Sequence, residues 1–413
     1  MIIVGIDVSA DRIDAVFLNV DDFPKVGLRD FYLSPAFKEV HATYKTSEVH
    51  SFIERIVGCS AKVAILEGTG TYSYFWREQL QKSGITTLVA DQGMTRSVRR
   101  ALGGSDNKDD RFDALIMCQL YRQHYLETYD RRFWVKELDP QVKKIRRCLL
   151  EIKGVTRKQT ACINTLKGRL ALEYPARAKV KSQRHNGFLR IGCPPAFWGW
   201  LANRRDFLKR QVLSRFDNHL QREVDLGKAS PTDLTRQLAA SVCDFHDIEA
   251  GLEHQLIDLL TNDDRFARYH QAFDLFDMGY RERGWILCRI YPLEDFLCLP
   301  KKRALRRFRQ ACGMGKVERS SGKNKAGGGG GNWTGCANTR STLWTYVHSR
   351  IEPQKLKGRN YTSVQIELRE YFVGRAFEAN GVKKRGSQLA GARNATARKL
   401  ADVIFRELCK AIK

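Results

Sequence analysis

The sequence predicts an α/β plus α protein. A mixed sheet with helices packed on it is expected over residues 1–128, a long-helix, coiled-coil region over 129–270, and a mainly helical domain over 271–413. Three observations carry this. Short aliphatic, β-branched runs alternate with helical patterns near the N-terminus. From Val142 to Leu170 apolar residues recur at steps of three and four. A glycine-rich loop at 313–335 then interrupts a basic, helix-patterned C-terminal third. A chain of 413 residues agrees with two or three domains, and 43% apolar content supplies material for real cores.

The first element, Ile2 to Val8, is nearly all apolar, as expected of a strand buried on both faces, and Ile13 to Val20 follows a short polar turn as a second strand. Ala61 to Leu66, ending at Glu67, and Ile85 to Ala90 read as further buried strands. Helical patterns lie near Ser47–Val57 and Tyr74–Lys82. From Pro140 a basic helix carries Val142, Ile145, Leu149, Ile152, Thr156, Gln159, Ile163, Leu166 and Leu170 at heptad spacing, which calls for another long helix beside it. The candidate partner starts at Ser230-Pro231-Thr232-Asp233, read with Ser230 as N-cap and Pro231 at the first helical position. Its seam is read as Leu238, Ser241, Phe245, Ile248, Leu252, Gln255 and Leu259. Pairing within one chain or between chains is left open by the pattern. The aromatic, basic segment 175–229 reads as an insertion without an assigned role. The run Gly327–Gly331 is a loop, and two helices separated near Asn380-Gly381 close the chain.

Seventy-one Lys plus Arg against 46 Asp plus Glu give a formal charge of +25, which suits a polyanionic partner, nucleic acid first. No apolar run reaches transmembrane length and no basic leader precedes the first strand, so the expectation is a cytoplasmic, nucleoid-associated protein without a membrane. Eleven scattered cysteines without C-x-x-C or paired Cys/His spacing read as reduced structural thiols rather than a zinc site.

Asp7 inside the first buried strand, Glu67 at the end of another, and Asp110 with Asp113 on one face of a helix are the acids to weigh together. A carboxylate inside a buried strand is expensive unless a cation or donor meets it. Four carboxylates converging on one point would repel each other without divalent metal, and two Mg2+ ions about 4 Å apart are the usual remedy at phosphoryl-transfer sites.

The segments Gly5-Ile6-Asp7-Val8-Ser9, Leu66-Glu67-Gly68-Thr69-Gly70-Thr71-Tyr72 and Lys108-Asp109-Asp110-Arg111-Phe112-Asp113-Ala114 resemble the DEDD motif of the Piv/MooV invertases. The same motif marks the related insertion-sequence "one-ten" transposases, whose recombinases are guided by a bridge RNA. The resemblance implies a RuvC- and ribonuclease H-like N-terminal domain with Asp7, Glu67, Asp110 and Asp113 as catalytic metal ligands. It covers the N-terminal domain, the long-helix region in pattern only, and a C-terminal transposase domain. There Phe276 to Phe296 looks like a worn helix-hairpin-helix and Tyr371 to Leu408 is similar to the closing basic helices. Implied partners are donor and target double-stranded DNA, a bridge RNA, and further copies of the chain in a homodimer or homotetramer.

Family members place a nucleophilic serine before a glycine in this loop, and Glu318-Arg319-Ser320-Ser321-Gly322-Lys323 matches that setting. Ser321 precedes the glycine and is the first choice, with Ser320 the alternative. A serine ester keeps the phosphodiester energy for rejoining, which water does not. Arg319 and Lys323 stand ready to neutralise phosphate. Further phosphate contacts are expected from Arg96, Arg99 and Arg100 before the aspartate cluster, from Lys143, Lys144, Arg146 and Arg147 on the long helix, and from Arg306 and Arg307. Trp333, Trp344 and Tyr346 are either base-stacking or core aromatics. The expected activity is that of a transposase or site-specific DNA recombinase. Two rivals are a RuvC-type hydrolytic junction nuclease using the acids alone and a catalytically inactive nucleic-acid-binding protein.

Overall fold

Strand β1 (Ile2–Val8) is the centre of the N-terminal architecture because side chains on both its faces are buried, as its unbroken apolar run requires. The computed structural model describes residues 1–24, 26–68, 70, 72–101, 109–180, 189–316, 333–353 and 360–412. They form two compact units, Met1–Glu137 and Leu138–Lys413.

In the first unit β1 pairs antiparallel with β2 (Arg12–Asn19), which pairs antiparallel with β3 (His41–Lys45). On its other side β1 pairs in parallel with β4 (Val63–Glu67), and β4 with β5 (Thr86–Ala90), giving the order β3-β2-β1-β4-β5. Two short helices, α1 (Leu28–Leu33) and α2 (Pro35–Val40), precede β3, and α3 (Val49–Gly58), α4 (Tyr72–Lys82) and α5 (Gln92–Ala101) punctuate the parallel strands. The sequence reading omits β3, α1, α2 and α5. β3 has no buried residue and therefore lacks the apolar run that reveals the other strands.

Alternation along the strands makes two cores. Val4 and Ile6 join Phe52, Ile56, Trp76 and Leu80 of α3 and α4 on one face. Ile3, Val16 and Ile65 meet α6 (Asp110–Tyr121) on the other. Nine of the residues on α6 are buried, so it is a central element and not a surface helix. Gly5 lets it approach: a Cβ there would stand 2.1 Å from the Ala114 carbonyl oxygen and 2.8 Å from Cys118 Sγ. Gly5→Ala is therefore expected to push α6 off the sheet and destabilise the unit by at least about 1–3 kcal/mol, read as a lower urea midpoint. An unchanged midpoint would show that α6 is not packed this closely. Residues beyond 128 belong to this unit too, since Val135 N donates to Val89 O at 2.8 Å and Trp134 bridges Ala90.

The second unit is built on α7 (Pro140–Glu173), whose start is fixed by Asp139 accepting from Gln141 N and Val142 N. After α8 (Ala196–Leu201) and α9 (Arg210–Asp225), helix α10 (Asp233–Thr261) returns alongside α7. The pairing is antiparallel and within one chain: Gln141 Nε2 donates to Leu259 O at 3.0 Å, Cys148 Sγ to Leu252 O at 3.1 Å, and Cys162 Sγ to Leu238 O at 3.4 Å. Two expectations are corrected. The N-cap of α10 is Thr232, not Ser230, because the Glu173 carboxylate accepts from Thr232 N at 2.9 Å and fixes the turn there. Its buried residues are Thr235, Ala239, Val242, Cys243, His246, Glu249, Ala250, Leu256 and Leu260, most of them one position beyond the expected seam, and Ile248 is exposed. Burying His246 and Glu249 is tolerated because His246 Nε2 lies 3.1 Å from Arg190 O and Arg281 Nη1 donates to Glu249 at 2.7 Å, and polarity alone hid that face.

The aromatic segment between these helices is core. Phe197, Trp198, Trp200 and Phe216 pack against Leu166, Leu170 and Val242. Arg204 and Arg205 engage acids of the chain, Asp244, Asp247 and Asp217.

The remaining helices are α11 (Ala267–Asp274), α12 (Tyr280–Ile290), α13 (Glu294–Leu297), α14 (Lys301–Ala311), α15 (Ala337–Tyr346), α16 (Ser363–Ala376) and α17 (Gly386–Ile412). They share one core with Val142, Ile145 and Leu149 of α7, so the sequence carries no break near residue 270 in this unit. The expected separation of the last two helices around Asn380-Gly381 is present. A two-stranded ribbon of β6 (Gly315–Lys316) and β7 (Trp333–Thr334) follows α14. Gly335, at φ +95°, closes it where a Cβ would stand 1.8 Å from Gln310 O. Tyr346 is core, donating to Phe276 O at 2.6 Å, while Trp344 is half-buried under Arg393. All eleven cysteines are free, and burial pushes the Cys118, Cys243 and Cys288 thiols up to about 12, which keeps them neutral. Among the described residues no helix is long and apolar enough to cross a membrane.

Candidate active site

Parallel register brings the first two acids together. Ile6 of β1 stands opposite Leu66 of β4, so Asp7 and Glu67 occupy the next positions at the carboxyl ends of neighbouring strands. Period-two alternation puts Asp7 on the face of Gly5 and Glu67 on the face of Ile65, the face that α6 covers. Asp7 is 1% exposed and Glu67 half-buried.

Helix α6 delivers the other two. Its N-cap, Asp109, accepts from Arg111 N at 3.1 Å and from the Tyr32 hydroxyl. Burial raises the Asp109 pKa, but the bonds from Tyr32 and the Arg111 N–H outweigh it and the net direction is down. Asp110 accepts from Ser9 Oγ at 3.2 Å, two residues after Asp7, which ties the start of α6 to the end of β1. Asp113, one turn on, is fully buried and is met by the Arg99 guanidinium from α5. The positive end of the α6 dipole also favours carboxylates at its first turn.

Sequence reasoning missed Asp14. It lies directly across from Asp7 on β2, 4% exposed, with His41 Nε2 at 2.8 Å and Thr43 Oγ1 donating at 2.7 Å. Burial pushes its carboxyl up, yet the His41 and Thr43 bonds hold the pKa below the ordinary value. An acid at an inward position of the otherwise apolar Ile13–Leu18 run was the available signal. Thr43, Asp14, Asp7 and Glu67 thus form one row across β3, β2, β1 and β4 beneath the start of α6.

The basic residues divide. Arg99 is mostly buried and pairs with the buried Asp113 carboxylate. Arg96 and Arg100 are exposed on α5. On α7, Lys144 is exposed, Lys143 and Arg146 half-buried, and Arg147 pairs with Glu151 at 3.0 Å; on α14, Arg306 is exposed and Arg307 half-buried. Ser320, Ser321, Arg319 and Lys323, with the Gly327–Gly331 run, lie outside the described residues.

The donor set is all oxygen, which suits a hard divalent cation such as Mg2+. Among the described residues no three His, Cys, Asp or Glu side chains are grouped as a ready set of metal ligands. Asp7 and Glu67 fit as a pair on adjoining strands, whereas Asp113 would have to exchange Arg99 for the metal. No family model matches the chain, and no curated protein does.

Proposed function

We propose that the chain is a metal-dependent DNA strand-transfer enzyme, a transposase or site-specific recombinase, with a RuvC- and ribonuclease H-like N-terminal unit. One observation carries this reading: Asp7 and Glu67 occupy adjacent register positions on neighbouring parallel strands, and Ser9 holds the start of α6, with Asp110, against the end of β1. The strand order β3-β2-β1-β4-β5, with only β2 reversed, supports the fold assignment.

Asp7, Glu67, Asp110 and Asp113 would hold two Mg2+ ions, which supply Lewis-acid polarisation of a scissile phosphate. The chain's own residues set the stage. Tyr32 and Ser9 fix the beginning of α6, Gly5 sets its distance from β1, and Arg99 balances Asp113. The serine of the Glu318-Arg319-Ser320-Ser321-Gly322-Lys323 segment, Ser321 in preference to Ser320, attacks phosphorus. A bond from serine Oγ to phosphorus forms, the bond to one deoxyribose oxygen breaks, and that oxygen departs as a hydroxyl. A hydroxyl of the partner DNA then reverses the exchange and frees the serine, so one ester bond replaces another. The +25 charge supplies phosphate affinity. Donor and target duplexes, a bridge RNA, and a homodimer or homotetramer follow from the family resemblance. We also read the antiparallel α7/α10 pair as a short coiled coil.

Labelled DNA incubated with the protein and Mg2+ and run on a denaturing gel tests the covalent step. A retarded protein–DNA band is expected for wild type and is lost in Ser321→Ala combined with Ser320→Ala. Cleavage that survives in the double variant without any such band identifies a hydrolytic nuclease instead.

A further inference from the structure

The second unit contains a groove that the strand-transfer chemistry does not use. It has a volume of about 490 Å3 and runs between α7, α12 and α15. Its floor is Leu149, Ile152 and the half-buried Trp285. Along one wall, Lys153 and Arg157 stand one helical turn apart on α7. Ser341 and Thr345 present hydroxyls from α15 on the other.

The charges in the groove do not cancel. Arg281 is taken up by Glu253 and Glu249, each at 2.7 Å. Glu282, the one acid of the lining, accepts from Gly279 N at 2.7 Å and faces Arg350 at 3.7 Å, and burial pushes its carboxyl up. Lys153 donates to Asn338, a neutral amide, and Arg157 is exposed without an acidic partner among the described residues. Two cations therefore face the groove with no carboxylate assigned to them among the described residues.

We infer that this groove holds one nucleotide of a single-stranded nucleic acid, its phosphate on Lys153 and Arg157 and its base laid on the apolar floor beside Trp285. The space is far too small for a duplex. An unstacked base offers a flat π-face to an aromatic floor, and the neighbouring phosphate supplies the anion that the wall lacks. Hydroxyls at Ser341 and Thr345 suit a sugar edge. A neutral peptide would leave both cations unmatched. The inference rests on reading the chain as a nucleic-acid-binding protein, though not on the chemistry at Asp7.

Binding of a short fluorescein-labelled uridine oligonucleotide to the full chain in EDTA, followed by anisotropy, tests it without any strand transfer. Arg157→Ala and Lys153→Ala should each weaken binding and each lower the slope of log affinity against log salt by about one. Trp285→Leu should weaken it by roughly 10-fold or more, with Trp285→Phe retaining most of the affinity. The groove is read by binding in EDTA and the Asp7 chemistry by cleavage in Mg2+, so a failed chemical reading and a failed groove leave different patterns. Equal binding of a thymidine oligonucleotide supports a site that reads base and phosphate. Binding unchanged in the Arg157, Lys153 and Trp285 variants, displacement by poly-glutamate at equal charge, or equal competition by free uridine monophosphate overturns the inference. Arg157 is exposed on α7, so its replacement leaves the fold intact and keeps the test open even if a Trp285 variant misfolds.

Discussion

Asp7→Asn is expected to lower DNA strand cleavage and joining by at least about 10²–10³-fold while the protein stays folded. The substitution keeps shape and volume and removes only the charge. Asp7 is 1% exposed near the carboxyl end of the central strand, and in its proposed role its charge acts in a dry environment, where each such contribution is worth several kcal/mol at the transition state. The retained fold is checked by an unchanged circular dichroism spectrum, and the chemistry by single-turnover cleavage of labelled DNA at saturating protein. Cleavage within a few-fold of wild type would remove Asp7 from the reaction and with it the proposed site.

The second large effect concerns stability. Arg99→Ala should reduce unfolding free energy by about 3–5 kcal/mol in EDTA, because it takes the guanidinium from a fully buried Asp113. If Asp113 is also a metal ligand, Mg2+ should restore part of the loss, since an ion that binds only the folded chain adds about 2.7 kcal/mol at a concentration 100 times its Kd. Urea midpoints measured with EDTA and with Mg2+ give the answer. The same deficit in both conditions would make Asp113 a structural acid held by Arg99 and not a metal ligand. Wild type should gain less from Mg2+ than the variant, because in wild type the ion competes with a bonded cation.

Particular residues show where sequence reading succeeds. Ile2–Val8 and Val63–Glu67 were visible because strands buried on both faces must be apolar throughout, and the edge strand Thr86–Ala90, exposed at Thr86, was visible through Ile85, Leu88, Val89 and Ala90. Asp7 and Glu67 drew attention because each breaks or ends such a run. Asp14 did the same and was passed over, and its His41 and Thr43 partners lie on an edge strand with no hydrophobic signature. The α7 stripe was legible at heptad spacing. The α10 stripe was misplaced by one residue, because its inward face carries His246 and Glu249, whose burial depends on Arg190 and Arg281 far along the chain. Likewise, the tryptophans of α8 lie in a segment to which the sequence assigns no role, and they become core only where α7 and α10 enclose them.

The sequence alone determined the alternating α/β start, the long helix pair, the excess of positive charge and the acids worth weighing, since hydrophobic period and side-chain charge are local properties. Only the tertiary structure decided that α7 and α10 pair antiparallel within one chain, that Asp14 joins Asp7 and Glu67 in one row, and that Arg99 points at Asp113 rather than at solvent. Strand register and the direction of a long side chain depend on partners distant in the chain, and no local pattern carries that information.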